Sequence, residues 1–382
     1  MPQPAAQSES AQPSESARHA GSTRHATVGL IGAGWRAQYF LRIARELPDR
    51  FTVARVLVRT EESASSVAEN WGVPTTTSLA DFLTGGYDYV VVSTPWAVVP
   101  ELIEALVGAG IPVLSETPPA PDAAALRSLW ASVGGAPVQV AEQYFLQPHH
   151  AARLAIVRSG LIGEVSSARL SVAHGYHGVS LARLYLGVGF DPVAIRADAL
   201  TDPLLSSNGR DGWHDEFVRV PGTRTVALLR FGDSGSGEHN AVFDFTDEQY
   251  FSPVRSRHTS VRGDRGEISD NSVTHLVGPG NPAAGELRRD VTGVESDLAG
   301  NYLRRVTLHT EVYWQNRFAP ARLNDDEIAV AEVMHRMAVF VQTGEPFYPL
   351  AEASHDHYLG LLIDEAAATG ETVRSQPMPW EG

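Results

Sequence analysis

A short glycine-containing segment after an apolar run is the part of the sequence best suited to bind a charged ligand. Gly32, Gly34 and Ala37 are spaced as G-x-G-x-x-A, the pattern found where a dinucleotide lies at the start of a helix. Gly32 would allow a tight turn, Gly34 would let the backbone approach a pyrophosphate, and Ala37 would let helix and strand pack closely. Unpaired N–H groups at the helix start would then attract the anion. The alternative is a turn that only links a strand to a helix.

The segments around this turn alternate between strand and helix patterns, which favours the ligand-binding interpretation. The predicted strands are Val28 to Ile31, Thr52 to Val58, Tyr87 to Ser93, Ile111 to Ser115 and Pro137 to Ala141. Four helices are predicted. The first begins near Trp35, the second covers Glu62 to Asn70, the third covers Pro100 to Ala109, and the fourth is capped by Asp122 and runs through Val133. This alternation predicts a doubly wound parallel sheet of about six strands, with its ligand at their carboxyl ends.

Composition indicates a soluble enzyme and excludes several other classes. The 382 residues are 43% hydrophobic, enough for two cores, and carry a net charge of −15. That charge disfavours nucleic acid and membranes as partners, and no apolar segment is long enough to span a bilayer. Without cysteine there is no disulfide, thiolate nucleophile or zinc–cysteine site. Residues 1–25 lack the apolar core of a signal peptide, so we expect a disordered tail and a cytoplasmic protein.

The pattern changes after residue 147, which predicts a dinucleotide-binding domain over 26–147 and a second domain over 148–375. The second domain begins with a helix over His149 to Arg158, a strand over Val165 to Ala173 and a helix over Val179 to Leu186. Short alternating strands follow at Val193 to Leu200, Thr225 to Phe231, Ala241 to Thr246, His258 to Arg262 and Gly266 to Ile268. They predict an α+β domain with an open, mostly antiparallel sheet. Two long helices, Asp325 to Thr343 and Ser354 to Thr369, are expected to pack back on the first domain.

Motifs spread along the chain from Ala26 to Val373 resemble the Gfo/Idh/MocA oxidoreductases. They are GLIGAGWRA, VVVSTPW, SETPP, GLIGEV, GYHGVSLARLYLG and VRGDRGEI. The resemblance implies an α/β protein with an N-terminal Rossmann domain that binds a nicotinamide cofactor and a C-terminal α+β domain. It also implies small-molecule substrates, mainly sugars and cyclitols, and a homo-oligomer formed through the C-terminal sheet.

The sequence departs from that family at its catalytic positions. The family's E-K-P motif places a lysine close to the nicotinamide and the substrate hydroxyl, whereas this chain has Glu116, Thr117 and Pro118 and contains no lysine at all. Arginine is a poor replacement, because a guanidinium keeps its proton near neutral pH. The family's D-x-x-x-H motif retains its histidine as His177, but Ala173 stands in place of the aspartate.

Three functions are compatible with these departures. In the first, hydride transfer occurs and His177 handles the proton, with His174, Tyr176 or Thr117 assisting, because imidazole titrates near neutral pH; a purely structural His177 is the alternative. In the second, the protein reduces an imine or a conjugated acceptor and takes the proton from water. In the third, it is a catalytically silent dinucleotide-binding sensor or partner subunit. The catalytic candidates are His177, Tyr176 and Thr117.

Residues at the ends of the predicted strands indicate the cofactor. Arg59 and Thr60 follow the second strand, where NAD enzymes carry an acid, so NADP is favoured, with NAD as the alternative if Arg59 only stacks on adenine. Thr94, Pro95 and Trp96 are expected to line the nicotinamide side. The other expected cofactor contacts are Gly32, Gly34, Trp35, Arg36, Ala37, Glu116 and Gln143, and Tyr144 is a further site candidate.

Metal binding is not expected from the sequence. The pairs His149–His150 and His355–His357 lack a carboxylate set with ligand spacing, and both lie on predicted helices where we expect them to be exposed. The acidic run from Asp325 to Glu327 begins a predicted helix, where it suits the helix dipole and is expected to be structural.

Overall fold

A parallel sheet forms the N-terminal part of the fold. The computed structural model describes residues 25–209, 212–232, 239–293, 298 and 300–382, so the predicted tail lies outside the described residues except for residue 25. Within them the sheet has six strands: β1 (Ala26–Ile31), β2 (Phe51–Leu57), β3 (Thr75–Thr76), β4 (Tyr89–Val92), β5 (Val113–Ser115) and β6 (Val138–Val140). Their order is β3-β2-β1-β4-β5-β6, which reverses at β1 and β4 and confirms the predicted doubly wound sheet.

The strands at the centre of this sheet are apolar throughout because helices cover both faces. Val28, Leu30 and the valines of β4 have no exposed surface. The helices of this part are α1 (Ala37–Glu46), α2 (Glu61–Trp71), α3 (Leu79–Phe82), α4 (Val99–Gly108) and α5 (Ala123–Val133). Burial on both sides holds the carboxyl ends of the strands in fixed positions.

Most of the predicted elements of this part exist, and their boundaries shift by one or two residues. Helix α1 begins at Ala37 rather than near Trp35, because residues 35 and 36 still form a turn. Asp122 caps α5 as predicted, since its carboxylate accepts the N–H groups of Ala124 and Ala125 at 2.9 Å. Strand β3 was not predicted, because two residues show no periodicity.

The C-terminal part contains a larger sheet. Its strands and an associated hairpin are β7 (Val165–Ser171), β8 (Val193–Thr201), β9 (Leu204–Gly209), β10 (Gly212–Val220), β11 (Thr223–Phe231), β12 (His239–Thr246), β13 (His258–Gly263), β14 (Gly266–Ser269), β15 (Ser272–Gly278), β16 (Asn281–Val291), β17 (Leu303–Leu308), β18 (Glu311–Gln315) and β19 (Val373–Arg374). The order is β18-β17-β16-β15-β14-β13-β7-β12-β11-β8-β19, and the described pairs are antiparallel except β7 with β12. The predicted open, mostly antiparallel sheet is confirmed.

Several strands of the C-terminal part have no counterpart in the sequence prediction. Among the described residues, strands β9 and β10 pair only with each other, and residues 212–219 of β10 are all exposed. Strand β16 is also mostly exposed. Because water meets both sides of these strands, their sequences lack the alternation of polar and apolar residues that predicts a strand.

The remaining helices pack between or against the two sheets. They are α6 (Pro148–Arg158), α7 (Gly175–Leu186), α8 (Asp325–Thr343) and α9 (Leu350–Thr369). Helix α8 has the predicted bounds, whereas α7 and α9 each begin four residues before the predicted start. Helix α8 contacts α1 and β4, so it packs on the first sheet as expected, whereas α9 contacts α5 and β6 but lies mainly against α7 and β8 of the C-terminal part. A search of the described helices finds none with the length and apolarity that a membrane span requires.

Candidate active site

The turn after β1 brings main-chain groups to the carboxyl edge of the first sheet. Gly32 has a φ of +112° and donates its N–H to the carbonyl oxygen of Leu57 at 2.9 Å. A Cβ atom on Gly32 would lie 2.0 Å from the carbonyl oxygen of Ser93, which directly follows β4. Only glycine fits here, because both the backbone angle and the approach of Ser93 exclude a side chain.

Open space lies next to Gly34. A Cβ atom built on Gly34 would meet no atom within 4 Å, and the residue is exposed. Trp35 is 45% exposed and packs edge-on against Tyr39, with ring centroids 5.0 Å apart. Ala37 is fully buried at the start of α1. The turn is therefore closed toward the sheet and open on the side where a phosphate would bind.

Arg36 joins this turn to two distant carboxylates. Its Nε donates to Glu116 Oε1 and its Nη1 donates to Asp326 Oδ2, both at 2.9 Å. Burial alone would lower the pKa of Arg36, but the two carboxylates outweigh it and raise that pKa. Burial raises the pKa of Glu116, which the Arg36 charge opposes. Asp326 thus does more than begin α8, the structural role that the sequence indicated.

Buried polar atoms without a partner surround the same edge. Three of them, Arg36 Nη2, Thr94 Oγ1 and Gln143 Oε1, form no hydrogen bond within the described part of the chain. Thr94 lies just beyond β4, and Gln143 just beyond β6. Buried polar atoms in proteins are nearly always paired, and this edge is where doubly wound sheets bind ligands. These atoms therefore fit contacts to a bound polar group.

The candidates Thr117 and Tyr176 meet beyond the end of β5. The Tyr176 hydroxyl is 3.5 Å from the carbonyl oxygen of Thr117, and the peptide bond from Thr117 to Pro118 is cis. Burial raises the pKa of Tyr176, so its hydroxyl keeps its proton at neutral pH and can donate a hydrogen bond but cannot serve as a base. Trp96 is 46% exposed and lies edge-on to Tyr176 and to His357. Trp96, Tyr176 and His357 therefore form an aromatic wall beside Thr117.

His177 is bonded to a carboxylate that the sequence did not assign to it. Its Nδ1 lies 2.6 Å from Glu142 Oε2, although the two residues are 35 positions apart. The other oxygen of Glu142 accepts the backbone N–H of Tyr144 at 2.9 Å. Both side chains are buried, and the Tyr144 ring lies 4.4 Å from the His177 ring. The sequence feature that could have identified Glu142 is its position two residues beyond the last parallel strand, β6.

Burial determines the charge of this pair. It raises the pKa of Glu142 to about 8 and lowers the pKa of His177 to about 3. A pair removed from water favours the state without net charge. Near neutral pH the pair therefore holds one proton between the carboxylate and the imidazole, and it gives up that proton under mildly alkaline conditions.

His174 is held beside the pair by a tyrosine from the short helical turn that follows β12. The Tyr250 hydroxyl lies 2.7 Å from His174 Nδ1 and accepts the His174 backbone N–H at 3.0 Å. The His174 ring lies 5.2 Å from the His177 ring. No sequence signal pointed to Tyr250, because it lies in a short helical turn far from the catalytic motifs.

The two residues expected near the adenine end lie just beyond β2 and differ in their contacts. Thr60 caps α2, since its Oγ1 accepts the N–H of Ser63 at 3.2 Å. Arg59 is exposed and makes no ion pair with any residue that the structure describes. Its guanidinium is therefore available to a ligand. Pro95, expected on the nicotinamide side, is exposed next to Trp96.

The histidine pairs are more buried than the sequence indicated. His150, His355 and His357 are at most 5% exposed, and His149 is half-buried. The prediction of exposure was wrong because helices α6 and α9 pack inside the molecule rather than on its surface. His150 Nδ1 lies 2.9 Å from the Tyr185 hydroxyl. Over the described ranges, no three His, Asp or Glu side chains group as metal ligands do.

The sequence of the N-terminal part matches a known family. Residues 26–144 match GFO_IDH_MocA, the oxidoreductase family with an NAD-binding Rossmann fold. The match covers this N-terminal part, which carries the sequence signature of the Gfo/Idh/MocA family. The family resemblance carried by the motifs is confirmed. None of the curated proteins compared with the chain matches it.

Solved structures of similar fold extend over nearly the whole chain. An oxidoreductase from Agrobacterium radiobacter in complex with NAD+, L-tartaric acid and magnesium is 17% identical with a TM-score of 0.66, covering 91% of this chain and 98% of its own. Levoglucosan dehydrogenase in complex with NADH is 15% identical with a TM-score of 0.66, covering 93% and 100%. Myo-inositol dehydrogenase from Corynebacterium glutamicum ATCC 13032 is 17% identical with a TM-score of 0.62, covering 92% and 99%. This likeness shows a shared fold.

Proposed function

We propose that this Gfo/Idh/MocA protein is an NAD(P)-dependent oxidoreductase that transfers a hydride between a nicotinamide and a sugar-like or other small polar substrate. The proposal depends on one observation, the meeting of binding and proton-handling groups at a single sheet edge. The Gly32 turn, the unpaired atoms of Thr94 and Gln143, and Glu142 all follow the carboxyl ends of parallel strands, and the bond to Glu142 holds His177 of α7 at the same edge. This edge is where the fold binds ligands.

The residues at this edge fit a nicotinamide dinucleotide. Main-chain groups of the Gly32–Gly34 turn would hold the pyrophosphate, and Thr94 Oγ1 and Gln143 Oε1 would bind polar groups near the nicotinamide. When bound, the cofactor supplies hydride-transfer chemistry. The NAD+ and NADH in the complexes of the Agrobacterium oxidoreductase and levoglucosan dehydrogenase support this assignment.

We infer a preference for NADP over NAD from Arg59. Its exposed and unpaired guanidinium follows β2, where a 2′-phosphate would lie, and β2 carries no acid there to accept a ribose hydroxyl. NADPH should bind about tenfold more tightly than NADH, and Arg59→Ala should remove the difference. Equal affinities for NADPH and NADH in the unmodified protein would contradict the preference for NADP.

His177 is the non-standard catalytic group in this proposal. The chain has no lysine, Tyr176 keeps its proton, and Thr117 contacts the site through its carbonyl oxygen. Of these three, only His177 belongs to a group, its pair with Glu142, that can exchange a proton between neutral and mildly alkaline pH. The aromatic wall formed by Trp96, Tyr176 and His357 suits the apolar ring faces of a sugar or cyclitol, and the levoglucosan and inositol dehydrogenases of similar fold support that substrate class.

Calorimetry followed by turnover assays tests this function. Gly34→Val should abolish binding of NADPH and NADH, because a Cβ at residue 34 lies in the open space beside the turn and the valine side chain would fill that space. Gly86→Val is the matched control, since Gly86 is equally free of neighbours and precedes β4 at the opposite edge. Absence of heat with all four pyridine nucleotides would refute the proposal.

Turnover by the unmodified protein separates the remaining alternatives. Oxidation of sugars or cyclitols supports the proposed dehydrogenase. Reduction of imines or conjugated acceptors alone, without any dependence on His177, supports a reductase that takes its proton from water. The absence of lysine favours a third possibility, a dinucleotide-binding sensor or partner subunit, which would bind the nucleotide and turn over no substrate.

We also propose a homo-oligomer formed through the open face of the C-terminal sheet. Phe243 of β12 points toward Gly178 of α7, so its neighbour Asp244 lies on the opposite face. There Asp244 binds Arg224 at 2.6 Å and Arg169 at 3.2 Å. Sedimentation equilibrium should show an oligomer that Asp244→Arg weakens, and a monomer at micromolar concentration would exclude this interface.

A further inference from the structure

Glu142 and His177 form one buried contact between two distant parts of the chain. Glu142 follows β6, His177 lies in the first turn of α7, and Oε2 and Nδ1 are 2.6 Å apart. The backbone N–H of Tyr144 donates to Oε1 and fixes the orientation of the carboxylate. When the pair has lost its proton, His177 Nδ1 donates to the carboxylate and Nε2 is the ring nitrogen that can accept a proton from a substrate.

A buried imidazole without this carboxylate would be a poor base. Protonation at Nε2 would create a cation out of water, a form that burial disfavours. A carboxylate bonded to Nδ1 changes the outcome, because the protonated imidazole and the carboxylate together carry no net charge. It also fixes the tautomer and the orientation of the ring, as the acid of a catalytic triad does.

We propose that Glu142 is a positioning residue that holds His177 Nδ1 and lets Nε2 accept the substrate proton without leaving net charge buried. This inference rests on the proposed oxidoreductase function. During oxidation the substrate O–H bond breaks and a bond from Nε2 to hydrogen forms. The adjacent carbon loses its hydride, with both electrons, to the oxidised nicotinamide, so a carbonyl results. Reduction reverses each of these changes.

Charged groups from three neighbouring elements act on the pair. Arg36, in the turn before α1, lowers the pKa of both Glu142 and His177, whereas Asp326 of α8 raises both. These two side chains carry opposite charges and are bonded to each other, so their effects on the pKa values of the pair partly cancel. Asp356 of α9 and the neighbouring Tyr348 also interact electrostatically with Glu142.

Aromatic and imidazole rings complete the surroundings of the pair. The rings of Tyr144 and Tyr176 lie 4.4 Å from the His177 ring, and the His174 ring lies 5.2 Å from it. Burial raises the pKa of both tyrosines, so neither is ionised at neutral pH. The pair is therefore the group at this site expected to change its charge between neutral and mildly alkaline pH.

The first experiment needs no cofactor or substrate. Glu142→Gln keeps the size of the side chain and removes its charge, and imidazole nitrogen NMR from about pH 5 to about pH 10 reports the protonation of His177. The His177→Gln variant assigns the His177 signal among the 14 histidines. We expect a His177 signal that titrates together with Glu142 near pH 8 and loses this transition in Glu142→Gln. Identical titrations in both proteins would overturn the proposal, whether or not the protein has activity.

Asp270 provides a matched control for this measurement. Its carboxylate contacts His258 Nδ1 at 2.9 Å, the same kind of contact on the exposed surface of the second sheet. Asp270→Asn should change the His258 signal and leave the titration of His177 unaltered. If the titration of His177 also changed in this variant, the Glu142→Gln result would reflect a general disturbance of the fold. That outcome would count against the proposal.

The second experiment compares pH profiles of kcat/KM for substrate oxidation. Glu142→Gln should lower kcat/KM about 100-fold at pH 7 through kcat, with little change in KM, and should lose the ionisation that the unmodified enzyme shows. A lower rate with an unchanged profile would indicate a merely structural Glu142 and refute the inference. If the unmodified protein turns over no substrate, the proposed function fails, and the NMR titration still decides the role of Glu142.

Discussion

Two buried carboxylate pairs lie on the same helix and differ in what they can do. Near the start of α7, His177 is bonded to Glu142. Six residues later, Arg183 donates to Asp356 at 2.6 Å and to Glu352 at 2.7 Å, both from α9. Asp356 and Glu142 are almost equally inaccessible to water, so burial does not distinguish them.

The difference between the pairs lies in the partner of the carboxylate. Burial alone would lower the pKa of Arg183, but Asp356 and Glu352 outweigh it and raise that pKa, so the guanidinium stays charged. Arg183 also donates two hydrogen bonds to the carbonyl oxygen of Gly189 and so joins α7 to the chain that follows it. The arginine pair is therefore a fixed structural link, whereas the histidine pair can exchange a proton. The chemistry of the partner decides between structure and catalysis.

Removing the carboxylate of the arginine pair should have the largest effect on stability. Asp356→Ala leaves Arg183 buried with only the half-exposed Glu352, so the free energy of unfolding should fall by about 3 to 5 kcal/mol. Urea unfolding followed by circular dichroism measures this loss. The double variant Arg183→Met with Asp356→Leu should recover much of it. A loss below about 1 kcal/mol would contradict the structural role.

Removing the imidazole of the other pair should affect activity far more than stability. His177→Gln should lower kcat/KM for hydride transfer about 100-fold, because it removes the group that accepts the proton. Glutamine can still donate to Glu142, so the free energy of unfolding should change by less than about 1 kcal/mol. Steady-state kinetics and urea unfolding test both parts. Unchanged kinetics would show that the histidine pair, like the arginine pair, has only a structural role.

The Glu142–His177 pair should also make the free energy of unfolding depend on pH, an effect of intermediate size. Burial raises the pKa of Glu142 to about 8 and lowers that of His177 to about 3. Between about pH 6.5 and 8 the folded pair keeps a proton that the unfolded carboxyl has lost, so the free energy of unfolding should fall by up to about 1 kcal/mol per pH unit. Below about pH 6.5 the unfolded histidine binds a proton, which offsets this trend.

Urea unfolding across this pH range tests the slope. Glu142→Gln should lose the fall in the free energy of unfolding between about pH 6.5 and 8. Burial also raises the pKa of Asp356 to about 7, and Glu142 adds only a small part of that shift, so most of this contribution is common to both proteins and cancels in the difference. Parallel curves for the two proteins would show that Glu142 does not hold the proton.

The smallest effect should come from the partly exposed partner of Arg183. The Glu352 side chain is 33% exposed, so solvent screens its attraction to Arg183. Glu352→Gln should lower the free energy of unfolding by about 0.5 to 1 kcal/mol, and added salt should reduce even that. A loss as large as that of Asp356→Ala would mean that burial does not set the strength of this link.

The features that were predictable from the sequence depend on local patterns. Gly32 and Gly34 lie within one turn, and the Asp122 cap involves residues two and three positions away, so each can be identified from a few letters. The long helix from Asp325 to Thr343 was found with its full bounds, because Asn324 caps it and Gly344 ends it. The strands buried on both faces were also found, since their composition is continuously apolar.

The features that could not be predicted depend on contacts between distant residues. Glu142 and His177 are 35 positions apart, and Arg36 and Asp326 are 290 apart, so no spacing rule joins them. The burial of His355 follows from the packing of α9 inside the fold, which its polar sequence did not indicate. The expected contacts of Arg59 and Gln143 with a cofactor stay predictions, because they need a ligand to test them.

The bonds around Arg36 decide which parts of the molecule can move as one body. Arg36 and Arg42 pair with Asp326 and Glu327 of α8 at 2.9 Å and 2.5 Å, and α8 also accepts a hydrogen bond from the β4 tyrosine hydroxyl through a main-chain carbonyl. Helix α8 is thus mechanically part of the first sheet, although it comes late in the chain. If the two sheets moved relative to each other, the chain would bend at both ends of α8 as well as near residue 147. A fragment that ended at residue 147 would lack α8, so part of its core would be exposed to water.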